Sequence, residues 1–548
     1  MHKKKLKALI IALAMTTVSL TGCGNNTSEL SSGNVTNNET TTGEAAKTEQ
    51  TNTAGNANEN SGDKPVYEVA TVRWSDWGED YHTGFPDAAA AEAGVEVQWN
   101  TILFSDWGDR KAVLLAGGDL PDAFMGDICF TEADVLTNVG TFIPLEDYID
   151  EYMPNLKAIL DSDPKMKAIA TSADGHIYGL PKKDPCGVTI YNQLFINQTW
   201  LDNLGLDLPT TWEEFEDVLR AFKEQDANGN GDLNDEIPYG EGYADPVMFF
   251  CLPFGTTLGT DGTYTMTIKD GKPVYLPTSQ EYKDGIAWMH KCYADGLIDA
   301  ELFTQDDSMR DAKLMNDTPI IGVAAGWTAD STFGPNADQY VALPALKGPD
   351  GECYISADPD HANFARCQFM ITSSCENPGP LLSWADKFYT VDASIQNMYG
   401  SFGVGVEKDE STGMYTVLAP RDGMSADTYA WVYSLRSYGP KYGPDGFNEK
   451  LIFEEPGGDA SKIELDKAMR QYAKEAYPNV SYTVDQLNTL STLYTDILSY
   501  VSVNQATWVT EGGIEQQWDG YLEQLDRMGY QDFIKIQNDA YDTYKANE

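Results

Sequence analysis

The sequence predicts an α/β protein with parallel sheets and more than one domain, and three observations lead to this prediction. Strand-like and helix-like segments alternate from residue 66 onward, which is typical of parallel strands joined by crossover helices. The strand-like segments are nearly continuous in apolar residues, as expected of strands covered on both faces. About 480 residues follow the polar N-terminal stretch, which is too many for one ordinary hydrophobic core.

A bacterial lipoprotein leader is predicted over residues 1–22. Three lysines (3–5) precede an apolar run of roughly a dozen residues, which fits a secretory signal but is too short for a membrane span of about 20 residues. The residues LTGC, 20–23, resemble a lipobox, in which the cysteine is lipidated. We predict a lipid anchor on Cys23 and a position on the extracytoplasmic face of the bacterial cell membrane. A plain signal peptide is the alternative.

Composition separates a linker from the folded body and limits the partners of both. Residues 23–65 are rich in Asn, Thr, Ser, Gly and Glu and have almost no large apolar side chains. Such a segment buries too little surface to offset its ordering entropy, so we predict a disordered linker after the lipidated Cys23. The formal net charge of -48 excludes the basic footprint that a nucleic-acid partner requires, and we predict none.

The first elements of the body follow the order expected of a parallel sheet. YEVATVRW, 67–74, is a predicted strand, and an Ala-rich helix and a second strand, VEVQW, come after it. A further helix, which ends at the glycine pair 117–118, leads into the extended segment DLPDAFM. Ligands bind outside the carboxyl ends of such strands, so we expect ligand contacts in the loops after Trp74 and at 119–122.

An amphipathic helix precedes the most polar loop of the body. Thr211 and Glu214 have the spacing of a capping box. Apolar residues then recur with helical period on one face, at Trp212, Phe215, Val218, Leu219 and Phe222. This helix delivers the chain directly to Asp226.

Several motifs occur in the order found in the family-1 extracellular solute-binding lipoproteins. They are GGDLPD, DGHIYGLP, NQTWLDNLGLDLPTTWEEF and DANGNGDLNDEIP, and the C-terminal TEGGIEQQWDGYLEQLDRMGYQDFIKIQNDAYDTYK is also similar. From about residue 66 to its end, the chain therefore resembles the sugar-capturing subunits of ABC importers, especially the long subgroup with a calcium loop. The resemblance implies a monomeric, non-enzymatic protein that captures an oligosaccharide and hands it to the permease subunits of an ABC transporter.

The resemblance also implies a two-lobed clamp of the type II periplasmic-binding-protein kind. Each lobe would be a mainly parallel sheet flanked by helices, and the lobes would be joined by hinge crossovers. We expect the crossovers near 185–192 and 364–374. Lobe 1 then comprises 66–188 plus about 366–425, and lobe 2 comprises about 189–365 plus 426–548.

The loop DANGNGDLNDE, 226–236, is a predicted calcium site. Calcium prefers six to eight oxygen ligands, and oxygen-bearing side chains alternate here as in an EF-hand loop. The twelfth position is Ile237, and two acidic residues stand one or two places early, as they do in the resembled subgroup. The predicted ligands are Asp226, Asn228, Asn230, the carbonyl of Asp232, Asp235 and Glu236, with Asn234 left open. No partner helix follows, so we predict a structural calcium ion; a polar loop of Asx turns is the alternative.

Aromatic side chains are the predicted sugar contacts, because sugars present apolar C–H faces as well as hydroxyls. Trp74 and Trp77 follow the first strand, and Trp327 ends the apolar strand of IIGVAAGWTAD and resembles the family's stacking tryptophan. Trp431, in DTYAWVYSL, is a second platform near a helix start. The predicted ligand contacts are Trp74, Trp77, Asp122, Trp327 and Trp431.

Catalysis has little support in the sequence. The histidines are isolated, and the sequence has no HExxH, GxSxG or P-loop motif. One alternative stays open among enzymes, a secreted and calcium-stabilised glycoside hydrolase or lyase, because paired carboxylates are brought together only by the fold. A calcium-dependent surface adhesin with a flat binding face is the other alternative.

Overall fold

The structure is a computed structural model that describes residues 64–256, 265–421 and 423–547. The predicted leader, Cys23 and nearly all of the predicted linker lie outside the described residues. The strands are β1 (Val66–Arg73), β2 (Glu96–Leu103), β3 (Ala123–Met125), β4 (Gly179–Lys183), β5 (Gln193–Asn197), β6 (Ile237–Tyr239), β7 (Met266–Lys269), β8 (Lys272–Tyr275), β9 (Ile321–Gly326), β10 (Tyr340–Ala342), β11 (Phe364–Ile371), β12 (Val406–Asp409), β13 (Met414–Val417), β14 (Lys441–Tyr442) and β15 (Leu451–Phe453).

Helices surround these strands and fill most of the C-terminal part of the chain. They are α1 (Phe85–Ala93), α2 (Phe104–Leu115), α3 (Glu132–Thr137), α4 (Glu146–Tyr152), α5 (Pro154–Ser162), α6 (Pro164–Ala170), α7 (Gln198–Leu204), α8 (Trp212–Glu224), α9 (Pro246–Cys251), α10 (Gln280–Ala294), α11 (Asp307–Leu314), α12 (Ala329–Phe333), α13 (Pro359–Asn363), α14 (Pro378–Asp386), α15 (Val391–Tyr399), α16 (Ala426–Tyr433), α17 (Gly458–Met469), α18 (Val484–Glu511), α19 (Ile514–Arg527) and α20 (Tyr530–Asn547). Within the described ranges, no helix combines the length and apolar character needed to cross a membrane.

The first sheet has the strand order β14-β4-β11-β3-β1-β2. β1 runs parallel to β2 and β3, as the alternation of strands and helices predicts, and β11 runs antiparallel to β3 and β4. Alternate residues of β1 enter two different apolar clusters, Val69 on one face and Ala70 on the other. The sheet is therefore covered on both faces, which explains why its strands are nearly continuous in apolar residues.

The second sheet has the order β10-β5-β9-β6 and is mixed. Only β6 and β9 pair in parallel, whereas β5 is antiparallel to both of its neighbours. The mainly parallel character that we predicted for each lobe is thus wrong in detail for this sheet. The reason is that β5, which the chain enters directly from the first sheet, runs against β9 and β10 on either side of it.

The chain passes from the first sheet to the second between β4 and β5 and returns between β10 and β11. Helix α17 holds the first passage, because the buried Asp466 carboxylate accepts hydrogen bonds from the backbone N–H groups of Thr189 (2.5 Å) and Ile190 (3.1 Å). Strand β14 belongs to the first sheet, although it lies in the stretch 426–548 that we assigned to lobe 2. The lobe boundaries themselves stay a prediction.

Helix α8 forms where the sequence predicts it. The Thr211 side chain accepts a hydrogen bond from the Glu214 N–H at 3.1 Å, while the Glu214 carboxylate accepts from Thr210, one residue earlier than a capping box requires. The five apolar residues of the predicted face are buried: Trp212, Phe215, Val218, Leu219 and Phe222. The helix packs against the second sheet and fixes the start of the predicted calcium loop.

Candidate functional site

Two of the predicted tryptophans stack on each other although 354 positions separate them in the sequence. Trp77 follows β1, and its ring lies nearly parallel to that of Trp431 on α16, with 4.8 Å between ring centroids and 16° between planes. Trp74 is 52% exposed and rests on Phe104, the first residue of α2 directly after β2, with 4.3 Å between centroids. The carboxyl ends of β1 and β2 thus present an aromatic surface, as the parallel sheet predicts.

Arg73, the last residue of β1, lies buried against this aromatic group. Its guanidinium carbon is 4.2 Å from the ring centroid of Tyr81, 5.4 Å from that of Trp77 and 5.6 Å from that of Trp431. Nη2 donates a hydrogen bond to the carbonyl oxygen of Trp431. Nε and Nη1 are buried and have no hydrogen-bond partner among the described residues. Burial lowers the pKa of Arg73 below its usual value, because the charged form loses water.

Trp327 follows β9, so it stands at the carboxyl end of a strand of the second sheet. Its ring contacts the edge of Tyr191 in the passage between the sheets, with 5.5 Å between centroids. The buried Lys462 of α17 lies over the same ring, 4.3 Å from Nζ to the centroid, and donates to the Tyr191 carbonyl. Burial lowers the pKa of Lys462 to about 7, against the opposing pull of Asp466 and Asp459.

Helix α16 connects the aromatic groups of the two sheets. It contacts the helical turn Asp80–His82, which follows β1, and it contacts α12, which follows β9. Trp431 packs with the core of the first sheet, while Trp327 packs with a separate cluster that includes Ala430, the residue beside it. The carboxyl ends of strands from both sheets therefore face the same short helix.

A buried ion network fixes α16 to α17. The Arg436 guanidinium donates to Asp459 of α17 at 2.8 Å and to Asp427 of α16 at 2.9 Å. The charge of Arg436 holds the pKa of Asp459 at about 2, although burial acts in the opposite direction. Asp459 also accepts from the Tyr399 hydroxyl at 2.7 Å. The helices that carry Trp431 and Lys462 are thereby held in a fixed relation.

The structure does not bring Asp122 to the aromatic group. Asp122 precedes β3, and its Oδ2 accepts a hydrogen bond from the Glu68 N–H at 2.9 Å. Because Val69 pairs with Ala123, Asp122 lies at the level of Glu68, six residues before Trp74, or about 20 Å away at 3.3 Å per residue. In a parallel sheet, a loop that leads into a strand lies at the amino edge, so the predicted ligand contact of Asp122 has no support in this geometry.

Arg73 and Lys462 were not among the residues predicted from the sequence. The sequence position of Arg73 could have identified it as a candidate, because it is a cation at the end of an otherwise apolar strand and directly precedes Trp74. No local sequence pattern indicates Lys462, because its contact with Trp327 joins segments 135 positions apart. Both are buried cations against aromatic rings, an arrangement that is attractive for the charge and shields it from water.

The predicted calcium loop is a tight turn of acidic and amide side chains. Gly229 and Gly231 adopt φ values of +75° and +90°, which side chains other than glycine rarely tolerate. The amide nitrogens of Asn228 and Asn230 donate to the Asp235 carboxylate at 3.3 Å and 2.6 Å. The loop therefore keeps its oxygen-bearing side chains close together.

Two carboxylate oxygens of the loop are left without a donor. Asp226 Oδ1 and Glu236 Oε2 are buried and have no hydrogen-bond partner among the described residues. Burial and the neighbouring Asp235 raise the pKa of Glu236, so its charge is stabilised poorly by the protein alone. Among residues 64–547, apart from 257–264 and 422, no three His, Cys, Asp or Glu side chains are grouped so as to hold a metal. The oxygen atoms of the loop suit a hard cation, and some of them belong to the amide side chains of Asn228 and Asn230 rather than to carboxylates.

Comparison with known proteins places this geometry in a family. Residues 74–365 match the model of the bacterial extracellular solute-binding proteins. The chain is 32% identical over 483 residues to the fructooligosaccharide ABC transporter substrate-binding protein FusA of Streptococcus pneumoniae serotype 4. The matched region covers 83% of this chain and 86% of FusA.

Solved structures agree with the sequence match. FusA of S. pneumoniae in complex with kestose has a TM-score of 0.75 and 30% identity, covering 88% of this chain and 100% of that chain. An EF-hand mutant of FusA in complex with fructo-nystose has a TM-score of 0.76 at the same identity and coverage. These similarities confirm the predicted type II periplasmic-binding-protein-like fold, and the chain belongs to the bacterial extracellular solute-binding protein family.

Proposed function

We propose that this chain is the substrate-binding protein of an ABC importer and captures an oligosaccharide between its two sheets. The observation that carries the proposal is the convergence of Trp77 and Trp431 from one side, and Trp327 from the other, on helix α16. Aromatic rings at the carboxyl ends of strands suit the apolar faces of sugars. Because the relative FusA is named for fructooligosaccharides, these are the first sugars to test.

Capture would proceed by closure of the two halves around the sugar. The passage that joins β4 to β5 would bend, while α17 holds it through Asp466 and Lys462. Closure would remove water from a sugar held between Trp327 and the Trp77–Trp431 pair. Capture by closure breaks no covalent bond, so the sugar would be handed unchanged to the permease.

A thermal-shift screen over oligosaccharides tests capture against the alternative of a hydrolase or lyase. A ligand that binds only the folded protein stabilises it by about 2.7 kcal/mol at 100 times its Kd. We expect kestose or a related fructooligosaccharide to raise the melting temperature, and chromatography to recover only the added sugar. New sugar products would favour the enzyme alternative, and the absence of stabilisation by any sugar would contradict capture.

We further propose that the loop 226–236 binds a structural calcium ion. The two orphaned carboxylate oxygens, on Asp226 and Glu236, would face the ion together with the side chains of Asn228, Asn230 and Asp235 and the carbonyl of Asp232. A bound calcium ion would supply positive charge and no chemistry of its own. The existence of an EF-hand mutant of FusA supports testing this loop.

The position of the loop argues for a structural role of the metal. Ile237 follows the loop, starts β6 and pairs with Ile321 at the beginning of β9. Trp327 comes six residues after Ile321, so the loop and the sugar platform are separated by about 20 Å along β9. Calcium would therefore stabilise the second sheet without touching the ligand.

The cellular setting is also a proposal. The lipobox-like LTGC supports a lipid on Cys23, and the polar residues after it support a flexible tether to the extracytoplasmic face of the membrane. A single chain would then present the loaded sugar to the permease subunits. Labelling of cells with a radioactive fatty acid, with a Cys23→Ser variant as control, tests the anchor.

A further inference from the structure

We infer that Arg73 is a specificity-determining residue of the sugar site, whose guanidinium donates hydrogen bonds to oxygen atoms of the bound sugar. The inference rests on the proposed function and names the polar group that works beside the aromatic platforms. Arg73 directly precedes Trp74 at the carboxyl end of β1, where a ligand of this fold is expected.

The hydrogen bonds of Arg73 are incomplete within the protein. Its side chain is almost fully buried at 1% exposure, and only Nη2 has a partner, the carbonyl oxygen of Trp431. Nε and Nη1 are buried without an acceptor. Leaving such donors unpaired in a folded protein is costly, and more so for a charged group. The unpaired Nε–H and Nη1–H groups of Arg73 are explained if a bound ligand supplies their hydrogen-bond acceptors.

The charge of Arg73 likewise has no carboxylate in direct contact with it among the described residues, and Glu79 acts on it only from beyond ion-pair distance. Arg73 forms no ion pair with any described residue, whereas the other buried arginine discussed above, Arg436, binds two carboxylates. The rings of Trp77, Tyr81 and Trp431 surround the guanidinium and offset part of its lost hydration. Stability alone does not account for this arrangement, and functional sites are where proteins tolerate such a cost.

The chemistry of the missing partner follows from the donors. Two N–H groups of a cation take oxygen acceptors, which in a sugar are hydroxyls or a carboxylate. Because Arg73 is 1% exposed in this structure, a sugar reaches Nε and Nη1 only after a group that covers them has shifted. Trp77, whose ring centroid is 5.4 Å from the guanidinium carbon, belongs to the segment after β1 that forms neither strand nor helix.

The test compares Arg73→Met and Arg73→Lys with wild type, by calorimetric titration of kestose and of trigalacturonate. Arg527→Met, an exposed arginine on α19, is the matched control. We expect Arg73→Met to weaken the sugar that wild type binds at least tenfold, and Arg73→Lys to weaken it as well, because lysine lacks the planar set of donors. Loss of kestose binding identifies hydroxyl recognition, because kestose has no carboxylate, whereas loss of trigalacturonate binding with kestose binding kept identifies carboxylate recognition.

Melting temperatures separate this role from a structural one. Because the buried charge has no direct ion-pair partner among the described residues, Arg73→Met without ligand should melt at or above the temperature of wild type while its sugar affinity falls. Affinity within twofold of wild type in either variant overturns the inference. If Arg73→Met does not fold, Arg73 is structural unless Arg73→Lys folds and binds at least tenfold more weakly. Wild type that binds no carbohydrate overturns the proposed function, and this inference with it.

Discussion

Trp327 stands where β9 leaves the second sheet, half-buried between Tyr191 and Lys462. Trp77 and Trp431 shield each other in the present conformation, whereas Trp327 has no second tryptophan against it among the described ring contacts. It is therefore the ring whose removal tests stacking most simply.

Trp327→Ala should weaken oligosaccharide binding by roughly tenfold, because a stacking ring contributes about 0.5–1.5 kcal/mol beyond the area it buries. Trp327→Phe should retain most of the affinity, since it keeps a ring. Trp288→Phe, in the core behind the second sheet, is the control that should alter stability and leave affinity unchanged. Calorimetric titration measures all three, and wild-type affinity in Trp327→Ala would exclude this platform.

Lys462 gives a prediction for the pH dependence of stability. Burial lowers its pKa from 10.5 to about 7, so the unfolded chain holds a proton between these values that the folded protein has released. The contribution of this group to stability therefore rises with pH across that window. Lys462→Met should be more stable than wild type by the largest margin at about pH 7 and below, and the margin should shrink toward about pH 9.

Urea unfolding at several pH values measures this margin. The charged groups that face Lys462 are Asp459 and Asp466 on its own helix, and the passage between the sheets offers it the Tyr191 carbonyl. A margin that stays constant with pH would show that Lys462 carries no depressed pKa in the folded protein.

At the scale of elements, the sequence predicts local structure well and long-range pairing poorly. The period of Trp212 to Phe222 predicts α8, and the apolar continuity of YEVATVRW predicts a strand covered on both faces. The stacking of Trp77 on Trp431, and the entry of β14 into the first sheet, join distant segments and leave no local pattern. The antiparallel β5 escaped prediction for the same reason.

In the candidate site, too, local features could be predicted from the sequence and long-range contacts could not. The aromatic residues at strand ends were predicted, because composition and position both indicate them. Asp122 lies away from the aromatic rings because its loop leads into a strand rather than out of one. Arg73 was missed because an unsatisfied donor is defined by its surroundings, which only the fold supplies.

The predicted calcium loop, 226–236, should stabilise the protein only when its cation is bound. Chelation should lower the melting temperature of wild type, because the carboxylates of Asp226 and Glu236 lose the cation that offsets their burial. In the double variant with Asp226→Asn and Glu236→Gln, added calcium should no longer raise the melting temperature. Asp161→Asn, exposed at the end of α5, is the control that should respond like wild type.

Sugar affinity separates a structural metal from a regulatory one. With the loop about 20 Å from Trp327, saturating calcium should change the Kd for the sugar by no more than a few-fold. A change of orders of magnitude would contradict the structural role and would require coupling along β6 and β9.

For the whole molecule, two sheets with their own cores meet at α16 and α17, and the passages between β4 and β5 and between β10 and β11 connect them. This arrangement explains how rings from distant parts of the chain come close to α16. The acidic surface, with a formal net charge of -48, keeps the protein soluble and favours neutral sugars over polyanions away from Arg73.

We propose above that the protein encloses an oligosaccharide and releases it unaltered. Calorimetric titration of the full chain with kestose or nystose, followed by chromatography of the recovered sugar, tests this claim most directly. We predict saturable binding of one sugar per chain and complete recovery of the intact oligosaccharide. Shortened or rearranged sugar in the recovered material, or no binding of any oligosaccharide in a panel of neutral and acidic sugars, would contradict the account.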